Sequence, residues 1–471
     1  MESMLMTFDE LSRSPGFTVF PGKGAERGFG SVSIDSRDLR KGALFVALTG
    51  SNTDGHSYIE AAIKSGASGI MAARSRLDSL NLADLTERWG KTLIVVDDTL
   101  WGLQNVAMLY LQKFPELLKI AITGSSGKTT TKEIAAAIAG CEKNVVCNSG
   151  NLNSETGLPL SVFNVRSGHQ VGIFEAGMNR KGEIAELANV LKPDIALITN
   201  IGSAHIGILG SKEAIAEEKK KIFSQFTGTG RALIPDEDPY RDFLAKDVAG
   251  KVIFYGRDKF KKLLGTRDLG IDGAEINWAG KKVNFSLPGE INLKNALAAL
   301  AIAGEIPVSD QSILSGLGSV KPLFGRGEII RGRVTIIRDC YNSNPESLAA
   351  AVSYCDGLLW PGRKIYVIGS MLELGGLSEG AHTQMGRLLS FSNADMIFLY
   401  GPETITAAQQ LSENGKPFQR MGKMDELKKA LESCIRPGDL VLLKGSRGCA
   451  LEELTPVLTG EKTAIEGGAE C

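Results

Sequence analysis

Short apolar runs alternate with longer amphipathic stretches along most of the chain. Leu93-Ile94-Val95-Val96, Ile120-Ala121-Ile122, Ile195-Ala196-Leu197-Ile198, Ile365-Tyr366-Val367-Ile368 and Leu440-Val441-Leu442-Leu443 each read as a buried strand bounded by charge, Gly or Pro. Uninterrupted apolar strands between helices predict an α/β fold with mostly parallel sheets. Residues 106–114 and 211–223 read as helices. The stretch Lys251 to Leu287 differs, with short alternating segments such as Lys282-Val283-Asn284-Phe285, and predicts a small antiparallel patch. No repeat of solenoid or propeller period is present.

At 471 residues the chain has room for about three domains. One joint is expected near Asp98 to Gln104. The other is expected around Ser319 to Gly327, where Lys321-Pro322 and Gly325-Arg326-Gly327 break the pattern. The expected division is therefore 1–104, 105–322 and 323–471. Lys and Arg number 53 against 54 for Asp and Glu, a net charge of −1, which argues against a nucleic-acid partner. The start, Met1 to Glu10, lacks a basic-then-apolar leader. The longest apolar stretches, such as Ala296 to Ala303, fall far short of the ~18 residues of a membrane span. Cys141, Cys147, Cys340, Cys355, Cys434, Cys449 and Cys471 are odd in number and widely spaced, so reduced thiols in a cytoplasmic protein are expected.

The strongest chemical signal is Ile120-Ala121-Ile122-Thr123-Gly124-Ser125-Ser126-Gly127-Lys128-Thr129-Thr130. An apolar strand enters a Gly-Ser-Ser-Gly turn, and a helical pattern with Ile134, Ala135 and Ile138 on one face follows. Small residues let backbone N–H groups close around phosphate, and a helix N-terminus adds its positive dipole end. Lys128 would reach the β- and γ-phosphates of ATP, and the Thr129 hydroxyl would bind Mg2+. The spacing is shorter than the usual phosphate loop, with Ile122 where a first Gly is expected. An ordinary Gly-rich turn with a solvated lysine is the competing reading, and the strand–turn–helix context favours the nucleotide.

Further ligands are sought where other strand-like runs end. Val171 to Phe174 runs into Glu175, the natural oxygen ligand for magnesium. Ile195 to Ile201 leads to His205, although a lone loop histidine is more often a surface residue. In the helix 211–223, Ile215, Ala216, Ile222 and Phe223 form one apolar stripe, and Lys219 falls in its middle. Lys220 and Lys221 fall away from the stripe and read as solvated. An inward-facing ammonium needs a partner or a chemical change, and carbamylation by carbon dioxide would make Lys219 a carboxylate able to bind magnesium.

Together these residues resemble the Mur ligase family, ATP-dependent amide-forming enzymes of peptidoglycan precursor assembly. Thr123-Gly124-Ser125-Ser126-Gly127-Lys128-Thr129-Thr130 is similar to that family's shortened phosphate loop. The resemblance covers essentially the whole chain. It implies three domains: an N-terminal domain for the UDP-sugar, a central P-loop ATPase domain and a C-terminal Rossmann-like domain. It also implies that Glu175 and His205 hold magnesium and that Lys219 is carbamylated. Asn292-Leu293-Lys294-Asn295-Ala296 resembles a segment whose last Asn contacts the nucleotide, with Ile291 in place of its leading His. Arg326 and Asp339 match residues carried onto the phosphate and ribose from the third domain, and Lys444-Gly445-Ser446-Arg447 matches a motif after the last major strand.

Within the family, the residues look most like the member that adds D-alanyl-D-alanine to UDP-N-acetylmuramoyl-tripeptide. Tyr341-Asn342-Ser343-Asn344-Pro345 resembles its Y-N-A-N-P segment, which makes Tyr341 and Asn344 candidates for the dipeptide side. Gly369-Ser370-Met371-Leu372-Glu373-Leu374-Gly375 is similar to another of its motifs, with Ser370 in place of Asp. The D-N-P-R signature of the diamino-acid-adding synthetase, the alternative ligase, is missing. Asp35-Ser36-Arg37 and Asn151-Leu152-Asn153 resemble segments near the UDP-muramoyl peptide, so Ser36, Arg37, Asn151 and Asn153 are its candidate contacts. The resemblance implies a ligation through an acyl phosphate, and the chain is expected to act as a monomer. Water would hydrolyse an acyl phosphate, so closure of the third domain over the cleft is expected from the chemistry. A nucleotide-driven switch protein is the reading from another class.

Overall fold

Residues 4–50, 53–79 and 84–460 are described by the structure, a computed structural model. Cys471 and the first three residues of the start segment lie outside them. Strand Leu118–Thr123 is buried along its apolar length and lies between Val171–Glu175 and Ile195–Ile198, both parallel to it. The full order in this sheet is Gly250–Tyr255, Gly230–Pro235, Ile195–Ile198, Leu118–Thr123, Val171–Glu175, Val145–Cys147, and all neighbours are parallel. Parallel strands put every carboxyl end on one edge, where such sheets collect their ligands. Register makes this specific: Glu175 pairs with Ile122, and Ile198 with Thr123.

Helix Lys128–Ala139 leaves the central strand and buries Ile134, Ala135 and Ile138, as its periodicity predicts. Burying an Ile side chain contributes roughly 1.5–3 kcal/mol, so this face anchors the helix whose N-terminus faces the site. It packs against helices Glu290–Gly304 and Asp310–Ser319.

A second six-stranded sheet has the order Glu328–Arg331, Thr335–Asp339, Leu440–Lys444, Lys364–Gly369, Met396–Tyr400, Phe418–Met421, antiparallel only at its first pair. A third, five-stranded sheet runs Thr18–Phe20, Thr92–Val96, Gly69–Ala73, Ala43–Val46, Ser31–Ser33, again antiparallel only at one edge. The α/β class and the mostly parallel sheets are as the hydrophobic pattern predicts. None of the described helices is long and apolar enough to cross a membrane.

Two local expectations are corrected. The helix expected over 106–114 runs from Thr99 to Leu111, because the Asp98 carboxylate accepts from the N–H groups of Leu100 and Trp101 and starts it early. It therefore runs through the Asp98–Gln104 stretch where a joint was expected. The antiparallel patch is confined to Leu263–Asp268, Ala274–Trp278 and Lys281–Phe285. Gly250–Tyr255, inside the same stretch, is instead the parallel edge strand of the central sheet.

Candidate active site

The turn after Leu118–Thr123 depends on two glycines in conformations that L side chains avoid. Gly124 has φ +151°, and a Cβ there would fall 1.8 Å from Thr199 Oγ1. Gly127 has φ +78°, and a Cβ there would fall 2.1 Å from Asn295 Oδ1. The second contact places Asn295 directly against the loop, on a buried helix turn where its Nδ2 donates to Asn292 Oδ1 at 3.3 Å. Asn200 steadies the loop from the neighbouring strand end: its Oδ1 accepts from Ser126 N at 3.2 Å and its Nδ2 donates to Ser126 Oγ at 3.0 Å. Ser125 and Thr130 are buried in the loop and the first helical turn.

Two lysine side chains converge on one carbonyl. Lys128 Nζ and Lys219 Nζ each donate to Gly124 O at 2.9 Å. Burial is the largest influence on both and lowers both pKa values. For Lys219, 1% exposed, the fall is large, and the neighbouring Lys128 charge deepens it while Glu218 opposes it. Lys219 thus lies inside, as the stripe predicts. Lys220 and Lys221 do not: Lys220 sits over the Phe243 ring and Lys221 pairs with Glu218 at 2.7 Å.

Thr129 Oγ1 donates to Glu175 Oε2 at 2.7 Å, and Asn153 Nδ2 donates to Glu175 Oε1 at 2.6 Å. A hydroxyl beside a buried carboxylate suits a hard cation that takes its remaining oxygens from phosphate and water. Among the described residues, no group of three or more His, Cys, Asp or Glu side chains could hold a metal alone. These donors therefore fit magnesium brought with a nucleotide better than a self-sufficient metal cage.

His205 caps a short helix in the left-handed region, φ 64°. Its Nδ1 lies 3.1 Å from Glu373 Oε2, out of line for a full hydrogen bond but close enough that the pairing lowers the Glu373 pKa. Arg326 stacks over Tyr341, 4.0 Å from the ring centroid, and Asp339 pairs with the buried Lys444 at 3.1 Å. Lys444 Nζ also donates to Asn342 O at 2.6 Å. Asn344 acts locally, its Oδ1 accepting from Ser347 N to cap helix Pro345–Gly357. The buried Ser370 hydroxyl has no hydrogen-bond partner among the described residues, and Ile291 is exposed on the rim.

One cavity of about 1490 Å³ joins most of these groups, taking in the loop from Ser125 to Thr130, Asn151, Asn153, Glu175, His205, Asn295, Arg326, Asp339, Tyr341 and Asn344. Gly124 and Lys219 are not among its lining residues. Ser36 and Arg37 do not line it either: Ser36 is buried in the N-terminal part, and Arg37 is exposed and held by Asp35 at 2.7 Å. Sequence reasoning missed Asn148, whose Oδ1 accepts from Glu175 N at 2.9 Å while Nδ2 donates to Glu175 O at 3.0 Å and Leu152 O at 2.8 Å. Its only signal was membership of an Asn-rich turn. Asn200 and Glu373 also escape a reading of the sequence as site residues, the latter although it lies within a family-like motif.

A Gly-hinged phosphate loop at the carboxyl edge of a parallel sheet, facing cations from a second such sheet, defines a P-loop nucleotide-dependent enzyme. Residues 122–303 match the Mur ligase middle domain, 325–447 the Mur ligase glutamate ligase domain and 29–81 the Mur ligase family catalytic domain. The chain belongs to the Mur ligase family. A UDP-N-acetylmuramoyl-tripeptide--D-alanyl-D-alanine ligase of Treponema pallidum is 42% identical over 98% of this chain and 100% of that protein. The crystal structure of MurF from Acinetobacter baumannii superposes with TM-score 0.86 at 26% identity, covering 97% of this chain and 99% of that one. The MurF ligase of Thermotoga maritima, solved in complex with ADP, gives 0.77 at 29% identity, covering 92% and 97%.

Proposed function

We propose that this chain is an ATP-dependent ligase that joins D-alanyl-D-alanine to UDP-N-acetylmuramoyl-tripeptide through an acyl phosphate, in the cytoplasm. The observation that carries the reading is the strand-end cluster in which Lys128 and Lys219 share the Gly124 carbonyl and Thr129 bonds Glu175, within a chain that matches such a ligase over 98% of its length. The relatives are ligases named for the dipeptide, which favours this reading over the diamino-acid-adding synthetase and over a switch protein.

In the first step a carboxylate oxygen of the tripeptide attacks the γ-phosphorus of ATP, and ADP leaves. Two anions must meet, so positive charge has to be supplied at the site. Lys128 meets the β- and γ-phosphates, the N-terminus of helix Lys128–Ala139 faces them, and Arg326 reaches them from the C-terminal sheet. Asn295 and Asp339 hold the nucleoside. Thr129 and Glu175, with His205 and a carbamylated Lys219, would hold Mg2+, which supplies further charge neutralisation when bound. Asn148 and Asn153 keep the Glu175 carboxylate aimed. In the second step the dipeptide amine attacks the acyl carbon, loses a proton, and phosphate departs. Tyr341 keeps Arg326 in place by stacking on it. Asn151 and Asn153 lie toward the peptide, and Ser36 and Arg37 toward the UDP-sugar, on a separate part of the chain. Water would hydrolyse the acyl phosphate, so the cleft must close during the reaction.

The test is to offer the purified chain ATP, Mg2+, UDP-tripeptides ending in diaminopimelate or lysine, and a panel of amino acids and dipeptides, then weigh the products. A product heavier by one D-alanyl-D-alanine residue pair, with ADP and phosphate formed one for one, is expected. Ligation of a single diamino acid, or nucleotide hydrolysis indifferent to both substrates, would refute the reading.

A further inference from the structure

The loop that carries His205 is gripped from the other sheet by a carboxylate outside the site described so far. Glu346 lies in the first turn of helix Pro345–Gly357. Its Oε1 accepts from Ser203 Oγ at 2.7 Å and pairs with Lys212 Nζ at 2.8 Å, while Oε2 accepts from Ser203 N at 3.1 Å. The residue before Ser203 touches the phosphate loop: Gly202 N donates to Ser125 Oγ at 2.8 Å, and Ser125 Oγ donates to Gly202 O at 3.1 Å. One carboxylate from a helix of the C-terminal part is thus linked, through two adjacent residues, to the turn that would hold the triphosphate.

The same loop meets the C-terminal part backbone to backbone. Gly207 N donates to Glu373 O at 3.2 Å. A Cβ on Gly207 would fall 2.5 Å from Gly375 N and 2.6 Å from Glu373 O. Gly207 is outside the left-handed region, so its own conformation would accept alanine. What excludes a side chain is the opposite backbone, and that backbone belongs to the segment whose Glu373 faces His205. Neither Glu346 nor Gly207 contacts a group that would react.

We propose that Glu346 is a positioning residue for the ligation. By holding Ser203 and Lys212, it fixes the His205 loop against the phosphate loop when the two sheets meet, with Gly207 and Glu373 forming the seat. This rests on the ligase reading above and deepens it.

The full chain is assayed with ATP, Mg2+, UDP-tripeptide and D-alanyl-D-alanine. Glu346→Ala and Gly207→Ala each lower kcat about tenfold or more, while KM for the UDP-tripeptide moves less than about twofold. Glu346→Gln falls between, because an amide oxygen still accepts from Ser203 but cannot pair with Lys212. Lys212→Met costs activity alone and nothing further in Glu346→Ala, since both changes remove one pairing. The Glu346 side chain is 42% exposed, so the Glu346 variants keep the wild-type unfolding midpoint. Independently of turnover, X-ray scattering with a non-hydrolysable ATP analogue and UDP-tripeptide shows a contraction in the wild type that Gly207→Ala lacks. Turnover of both alanine variants within twofold of wild type, or identical scattering responses in Gly207→Ala and wild type, would overturn the proposal. A wild-type chain that joins no dipeptide would instead sink the ligase reading, and the scattering comparison would still decide on the seat.

Discussion

Substituting Asn148 by Ala removes the amide that ties the backbone of Glu175, at the end of strand Val171–Glu175, to the Asn-rich turn. Three side-chain hydrogen bonds are lost: Nδ2 to Leu152 O at 2.8 Å, Nδ2 to Glu175 O at 3.0 Å, and Oδ1 from Glu175 N at 2.9 Å. Asn148 is 1% and Glu175 2% exposed, so the Glu175 backbone groups do not regain water, whereas the carbonyl of Leu152, a residue 38% exposed, can. At about 1 kcal/mol net per bond, the loss comes to about 3 kcal/mol. The buried Lys132 ammonium is not orphaned, because it bonds the backbone carbonyl of Asn148 at 2.5 Å, which alanine keeps. For a folding unit of roughly 150–250 residues each kcal/mol moves the midpoint by about 2–4 °C, so the central transition falls by roughly 6–12 °C. Calorimetry reads that shift. Because the same amide aims Glu175, the Mg2+ concentration giving half-maximal turnover also rises. A midpoint within about 2 °C of wild type, with unchanged magnesium dependence, would refute the assignment of Asn148 as the brace of Glu175.

Lys128→Ala is expected to cut ATP turnover by about a hundredfold or more while leaving UDP-tripeptide binding intact, read by calorimetric titration. Loss of both together would mean that Lys128 supports the fold instead. Lys219→Ala should abolish ligation and recover part of it with short carboxylic acids, and full activity without rescue would remove Lys219 from the mechanism. In buffer freed of carbon dioxide, Lys219 also makes stability depend on pH. Its folded pKa lies well below the ordinary 10.5, so between the two values the unfolded chain binds one more proton than the folded chain. Stability therefore rises with pH across that window, and Lys219→Met should flatten the rise in urea midpoints measured up to about pH 10.

Much of the architecture is written locally in the chain. Buried strands declare themselves as apolar runs, so Ile120 to Ile122, Ile195 to Ile198 and Leu440 to Leu443 are legible without any neighbour. The phosphate loop is legible because its glycines, its lysine and the helix that follows are contiguous. Lys219 can be read as inward-facing because a helix repeats every 3.6 residues and its apolar neighbours fix the stripe. The early start of helix Thr99–Leu111 escapes the periodicity although Asp98 signals it, because the apolar pattern becomes regular only later. Asn344 likewise has a capping partner three residues on in Ser347, a local signal that its resemblance to a family motif obscures.

Other features have no local trace. Arg326 and Asp339 come only from resemblance, since nothing in a loop arginine or a strand-end aspartate says which cleft it faces. Ser203 and Glu346 stand 143 positions apart, and Asn148 and Glu175 stand 27 apart. Such pairs meet because parallel strands with crossover connections bring their carboxyl ends to one edge, and because a second sheet packs against that edge. Backbone periodicity decides which residues face inward. Only the order of strands and the seating of one sheet against another decide which inward-facing groups become partners.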